Sequence, residues 1–209
     1  MKFLITAGPT REYLDRIRFI SNLSSGTMGY TLARIARKLG HQVTLITGPT
    51  NLPKPRGVKV VKTETTQVMH TAVRKFFPKC DCLIMAAAVS DYRPIRKFNG
   101  KLKKKSSFNL KLARTRDILK EISRRKGKRI LIGFALEVSN GRRNALRKLQ
   151  QKGLDYIVFN TPAALASTKT TAEILNPQKP IKQFRNTPKT TLSHYLIKLV
   201  TRADQYHQE

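Results

Sequence analysis

Short apolar runs alternate along this chain with stretches whose apolar positions recur every three or four residues. Phe3-Leu4-Ile5-Thr6 predicts a buried strand ending at the turn Gly8-Pro9. Met28, Leu32, Ile35, Ala36 and Leu39 fall at helical spacing, with Gly40 as a stop. Residues 42–46 predict a second strand closed by Gly48-Pro49, residues 58–61 a third, and residues 66–77 a helix ended by Pro78. Residues 82–89 predict a strand that loses side-chain bulk toward its end. A helix over 116–125, a strand over 130–135, a helix over 140–151 and a strand over 156–159 continue the alternation.

Near-continuous apolar strands separated by helices predict an α/β, Rossmann-like fold, with a mostly parallel sheet covered by helices on both faces. In such sheets ligands bind beyond the carboxyl ends of the strands, where chain order reverses. Residues 7–11, 48–49, 86–91, 135–138 and Asn160 therefore become the candidates for chemistry. Two segments interrupt the pattern. Residues 92–112 carry Pro94, Gly100, a lysine cluster and the alternating run Phe108-Asn109-Leu110-Lys111-Leu112, which predicts a projecting flap or hairpin. Residues 161–191, rich in Thr, Pro and Lys, predict loop with a short strand at 173–175. A final amphipathic helix is expected over 192–202. With no internal repeat, residues 1–209 are expected to form a single domain.

Composition narrows the class. No run approaches 18 apolar residues, so no membrane span is expected. The N-terminal segment reaches turn residues too soon for a signal peptide, so a cytoplasmic location is expected. Cys80 and Cys82 are too close for a relaxed disulfide, and period two turns one of them to the core. His41, His70, His194 and His207 have no metal-ligand spacing. Lys and Arg number 42 against 12 Asp and Glu, a formal net charge of +30. That field attracts nucleic acid, nucleotides and acidic proteins alike. The basic clusters, however, are short and dispersed, and no aromatic residues interleave with them as base-stacking binders require. Nucleic acid is accordingly a minor expectation, although a basic Rossmann-like nucleic-acid-binding module remains an alternative.

Four segments carry candidate chemistry. The loop Thr6-Ala7-Gly8-Pro9-Thr10-Arg11-Glu12 offers small residues that let backbone N–H groups approach an anion. It lacks the GxGxxG spacing, and the second strand ends in Thr47-Gly48-Pro49 without a ribose-binding acid. An NAD(P)-dependent oxidoreductase is therefore a weaker alternative. The run Arg18-Phe19-Ile20-Ser21-Asn22-Leu23-Ser24-Ser25-Gly26-Thr27-Met28-Gly29 leads into a helix with more hydroxyls and glycines than an N-cap needs. It is read as an anion site. Ala86-Ala87-Ala88-Val89-Ser90-Asp91 gives up packing where a flat ligand would lie, and Asp91 either satisfies a turn or holds a hydrated Mg²⁺. The run Lys101-Leu102-Lys103-Lys104-Lys105 is a solvated cluster or a mobile cationic arm.

Together with Gly133-Phe134-Ala135-Leu136-Glu137, these segments appear in an order and spacing that resembles the phosphopantothenate–cysteine ligase family, the CTP-dependent bacterial type of phosphopantothenoylcysteine synthetase. The resemblance covers about residues 2–160 and is looser over the last fifty. It implies a ligase of coenzyme A biosynthesis that uses 4′-phosphopantothenate, L-cysteine and CTP, with Mg²⁺, and passes through an acyl-cytidylate. It places the triphosphate on Gly8, Thr10, Ser24, Ser25 and Gly26, and the cation on Asp91. Ala87 and Ala88 would lie by the nucleotide and acyl group, and Asp117 would read the cytosine. Asn22 would bind phosphopantothenate and its acyl intermediate with help from Arg18. Lys101 would be the catalytic lysine of the flap. The family is dimeric, so a homodimer with sites near its interface is implied.

The sequence also departs from the family pattern. Pro9 stands where glycine is usual and removes an N–H from the first loop. Thr27 replaces a lysine, residues 114–119 read Arg-Thr-Arg-Asp-Ile-Leu instead of Lys-Asn-Pro-Asp-Ile-Leu, and Val138 stands where threonine is usual. These changes bear on nucleotide affinity and choice, while Asn22, Asp91 and Lys101 lead us to expect retained activity. Many bacterial members carry a flavin-dependent decarboxylase upstream. With Met1 directly before the first strand, a stand-alone ligase and a separate phosphopantothenoylcysteine decarboxylase are expected.

Overall fold

A computed structural model describes residues 1–103, 106–136, 141–161 and 167–206. In chain order its elements are β1 (Lys2–Ala7), β2 (Arg11–Tyr13), β3 (Phe19–Ser21), α1 (Thr27–Lys38), β4 (Gln42–Thr47), β5 (Lys59–Lys62), α2 (Thr66–Phe76) and β6 (Cys82–Met85). There follow β7 (Tyr92–Pro94), β8 (Leu112–Arg114), α3 (Ile118–Ser123), β9 (Ile130–Leu136), α4 (Gly141–Gln151), β10 (Tyr156–Asn160), β11 (Lys169–Leu175), β12 (Pro180–Pro188) and α5 (Lys189–Tyr206).

Eight strands make one sheet in the order β12-β11-β10-β9-β6-β1-β4-β5. The six from β5 to β10 are parallel, and β11 and β12 close the other edge antiparallel. The period-two pleat sends successive residues of β1 to opposite faces. Phe3 and Ile5 pack with Leu32 of α1 and Leu196 of α5 on one face. Leu4 packs with Met69 of α2, Ile122 of α3 and Leu149 of α4 on the other. This is the expected Rossmann-like arrangement of helices on both faces. Each fully buried Leu or Ile contributes about 2 kcal/mol by leaving water.

Three segments differ from expectation. The strand predicted over 82–89 ends at Met85, because the chain turns at the alanines onto the first loop. There Ala88 N donates to Gly8 O at 2.9 Å and Thr10 N donates to Ala88 O at 3.2 Å. Residues 161–191 hold the β11–β12 hairpin instead of loop with one short strand. Its turn is built by Asn176, whose Oδ1 accepts from the backbone N–H of Gln178 and Lys179 at 3.0 and 2.7 Å. Among the described residues of the flap, strand pairing is confined to its base, β7 with β8. A further hairpin, β2–β3, had no hydrophobic signal of its own. Lys104, Lys105, Glu137, Val138 and His207 lie outside the described residues.

Candidate functional site

After β1 the chain moves outward through β4 and β5, then returns to place β6 on the other flank of β1. A crevice forms where the order reverses. Beyond the carboxyl ends of β6, β9 and β10 it widens into a cleft of about 980 Å³. The cleft gathers Asn22, Ser24, Ser25, Gly26, Ala87, Ala88, Asp91 and Asp117, eight of the twelve predicted site residues.

One wall is the start of α1. Gly26 caps it with φ +78°, a left-handed conformation that disfavours a side chain, and no side chain satisfies the cap. The Ser25 and Thr27 hydroxyls lie 2.8 Å apart, and Thr27 N–H reaches Ser25 Oγ only at 3.4 Å. First-turn N–H groups have no intrahelical acceptor and carry the positive end of the helix dipole, so this wall favours an anion. Gly29 lets the helix start sit on β1, since a Cβ there would lie 2.5 Å from Ala7 Cβ. The facing wall is residues 86–91. Thr6 Oγ1 accepts from Ala87 N–H at 3.1 Å, and Asn22 Nδ2 donates to Ala88 O at 3.1 Å, tying the two walls together. Asp91 is exposed in the cleft, and its backbone carbonyl accepts from Thr115 N–H at 2.9 Å.

The cleft is also lined by Arg114, Arg116, Lys148, Lys152 and Lys189, which sequence patterning missed as site residues, and by Phe134 and Asn160. Among the described lining residues these five cations face two carboxylates, Asp91 and Asp117. Asp117 is already engaged. Its Oδ1 accepts from Lys120 N–H at 3.0 Å as the cap of α3, and its Oδ2 lies 2.9 Å from Lys152 Nζ. Lys189 is 6% exposed, and burial lowers its pKa. Asn160 Oδ1 is a buried acceptor with no protein partner among the described residues. Of these, only Asn160 was marked by the strand-end rule. Lys148 on α4 and Lys152 just past its end resembled an ordinary solvated helix face, and Lys189 fell in a segment expected to be loop.

Four predicted residues lie elsewhere. Thr10 is fully buried, with its hydroxyl 3.0 Å from that of Thr66 and accepting from Ser90 N–H at 2.9 Å. Gly8 is buried directly behind Gly26: a Cβ on Gly26 would come within 3.2 Å of its Cα. The first loop thus supports the anion wall from behind instead of facing the cleft, and the N–H lost at buried Pro9 falls there too. Arg18 turns to the flap, where its Nη2 donates to Leu102 O at 2.9 Å and its Nε lies 3.8 Å from Asp15 Oδ2. Lys101 is exposed on the same flap, outside the lining of the cleft.

The flap base is fixed by a carboxylate. Asp15, with its side chain inaccessible, accepts from Ile17 and Arg18 N–H at 2.7 Å each and from Leu102 N–H at 3.0 Å. These donors, led by Leu102, hold its pKa down at about 2.

Among the described residues no group of three or more His, Cys, Asp or Glu could hold a metal ion. His70 is buried and engages Glu121 at 2.8 Å, away from the cleft. Both cysteines are buried rather than one, because Cys80 tucks its thiol against Phe77 O at 3.2 Å. Burial pushes that thiol up to about 12. No helix among the described residues is long and apolar enough to cross a membrane.

Residues 1–203 match the family described as the DNA/pantothenate metabolism flavoprotein C-terminal domain. The chain is 40% identical over 203 residues to the coenzyme A biosynthesis bifunctional protein CoaBC of Borreliella burgdorferi, covering 95% of this chain and 52% of that protein. To the Bacillus subtilis protein of the same name it is 43% identical over 159 residues, covering 75% and 39%. It thus spans about half or less of these curated relatives. Among solved structures, the C-terminal domain of a CoaBC protein superposes with a TM-score of 0.85 at 34% identity, covering 98% of this chain and 95% of that one. A Cab2 mutant in complex with phosphopantothenate-cysteine gives 0.80 at 16% identity, covering 99% and 87%, a likeness of fold alone.

Proposed function

Because the chain belongs to the family of the DNA/pantothenate metabolism flavoprotein C-terminal domain, we propose that it is a phosphopantothenate–cysteine ligase of coenzyme A biosynthesis. In the proposed reaction the carboxylate of 4′-phosphopantothenate attacks the α-phosphate of CTP, giving an acyl-cytidylate and pyrophosphate. The cysteine amine then attacks the acyl carbon, forming the amide and releasing CMP and a proton.

The observation that carries this reading is one cleft at the sheet's switch point that joins an open helix start to five basic side chains. The reactants bring a triphosphate, a phosphomonoester and a carboxylate together, and their repulsion must be offset before in-line attack. The α1 start at Ser24, Ser25 and Gly26 receives phosphate oxygens. Asn22, braced on Ala88 O, keeps its amide oxygen and second N–H for the acyl group. Ala87 and Ala88 leave room for the acyl chain and nucleotide. Asn160 Oδ1 suits an amino donor on the base. With the cleft's other carboxylate, Asp117, engaged by Lys152, a single exposed acid fits a hydrated Mg²⁺ shared with phosphates, not an all-protein cage, so Asp91 would hold that ion, which supplies charge neutralisation when bound.

Lys101 would act from a second copy. The two hairpins expose Ile17, Phe19, Tyr92, Ile95, Phe108 and Leu112, with Ile17 60% exposed. Such an apolar surface fits a homodimer in which each flap reaches its partner's cleft. Incubation with 4′-phosphopantothenate, cysteine and CTP should release pyrophosphate, and silence with CTP, ATP, GTP and UTP alike would overturn the reading. Lys101→Ala and Asn22→Asp should each lower turnover about a hundredfold or more while leaving thermal stability nearly unchanged.

A further inference from the structure

The flap reaches the rest of the chain through a narrow set of contacts. Phe98 N–H donates to Leu14 O at 2.7 Å, Arg16 N–H reaches Gly100 O at 3.5 Å, and Lys97 Nζ sits 5.2 Å from the Tyr13 ring centroid. All of them land on residues 13–18, the tip of the β2–β3 hairpin. At the centre is Asp15, whose side chain is inaccessible. Its two oxygens divide the work. Oδ1 accepts both N–H groups of the hairpin turn, Ile17 and Arg18, at 2.7 Å. Oδ2 crosses to the flap and accepts Leu102 N–H at 3.0 Å. Arg18 completes the crossing, since its guanidinium lies 3.8 Å from Oδ2 and donates to Leu102 O at 2.9 Å. Both backbone polar groups of Leu102, the residue after Lys101, are thus held by one acid–base pair 84 and 87 residues earlier in the chain.

We propose that Asp15 is a positioning residue that fixes the direction in which the flap presents Lys101. The hairpin bearing Asp15 ends at Ser21, directly before Asn22 and the anion-binding helix start. The carboxylate therefore joins the flap to the segment that builds the cleft wall. Hairpin turns alone do not require this carboxylate to be shared, because Oδ1 already satisfies the turn. Oδ2 is the part spent on the flap. A charged acceptor in a site closed to water makes stronger hydrogen bonds than a neutral one, which suits a tether that must hold an exposed arm.

The inference rests on the ligase reading for its kinetic consequence, but the tether itself is measurable without it. Asp15→Asn is the discriminating variant: an amide oxygen can still accept the two turn N–H groups, whereas Nδ2 meets Leu102 N–H as donor against donor. Hydrogen exchange on the full chain should show the Leu102 amide losing at least tenfold in protection, with the β1 and β6 amides unchanged. In the ligase assay kcat should fall between about ten- and a hundredfold, as expected for a displaced catalytic group. KM for CTP should stay within about twofold, since the nucleotide wall is untouched. Asp15→Ala, which also strips the turn, should lower both flap protection and thermal stability. Unchanged Leu102 protection in Asp15→Asn overturns the tether. Lost protection with an unchanged kcat overturns the positioning role. A wild-type chain inactive with every nucleoside triphosphate overturns the ligase reading instead, and exchange alone then decides whether Asp15 holds the flap.

Discussion

At the scale of single residues, two positions set how the cleft is shaped and charged. Gly29 has no room for a methyl group, because its Cβ would meet Ala7 Cβ at 2.5 Å and Thr6 O at 2.7 Å, and both belong to the rigid central strand. Gly29→Ala should therefore destabilise by overpacking, about 1–3 kcal/mol. A thermal melt should show Tm falling by roughly 2–12 °C at this chain length. The variant should also weaken triphosphate binding, since α1 must back away from β1 and carry Gly26 with it. Asp117 works the other way. It withholds Lys152 from the cleft through a 2.9 Å ion pair while capping α3. Asn caps a helix about as well as Asp. Asp117→Asn should leave stability within about 1 kcal/mol, because a partly exposed pair is weak. It should tighten the binding of inorganic tripolyphosphate several-fold in a calorimetric titration. Weaker binding would show that Lys152 is oriented by Asp117 rather than occupied by it.

At the scale of elements, the flap is a short arm hinged on one carboxylate, and its pH response follows from that group's direction of shift. The folded pKa of Asp15 lies at about 2, below the ordinary 3.8, because N–H donors favour the charged form. Its stabilisation is therefore complete above pH about 4 and is lost as pH falls toward 2. Pepsin should begin to nick the chain near Phe98, Leu102 and Phe108 as pH drops below about 4. In Asp15→Asn the same nicks should appear already at pH 4. Very little of this hinge was legible beforehand. β1, β4, β6, β9 and β10 announce themselves as apolar runs, and α1 and α2 by their spacing, so the sheet and the anion wall follow from the sequence. The β2–β3 hairpin has three-residue strands with no buried apolar residue, Glu12 being the only side chain they bury. The β11–β12 hairpin buries only Thr170, Ala172, Ile174 and Leu175 on one strand and Phe184 on the other, a weak alternation inside a Thr- and Lys-rich stretch. A rule that looks only beyond strand ends finds Ala87, Asp91 and Asn160, but passes over cations that other elements swing into the cleft, Lys148 from α4, Lys152 just after it and Lys189 from the start of α5. Gly8 and Thr10 show the same locality from the other side: they follow β1 directly, and the structure packs them against Gly26 and the 86–91 turn, outside the cleft lining.

At the scale of the molecule, the net charge of +30 and the apolar faces of the two hairpins pull in opposite directions. Two copies brought together through Ile95, Phe108 and Leu112 bury hydrophobic surface, but each carries the same sign of charge, and the resulting repulsion is screened over about 10 Å at 0.1 M salt. Self-association should therefore strengthen as salt rises from about 0.05 to 0.5 M, since screening weakens repulsion while burial is unaffected. Nucleic-acid binding runs the other way, because displaced counterions make it weaken steeply with salt. Sedimentation across that range thus separates the proposed homodimer from a general basic module. An Ile95→Asp/Leu112→Asp double variant adds charge where apolar contact is needed while touching no lining residue of the cleft. It should sediment as a monomer at every salt concentration, keep tripolyphosphate binding, and lose ligase turnover because no partner flap arrives. A monomeric double variant with full turnover would mean that each flap serves its own cleft, and the homodimer would then have no part in the chemistry.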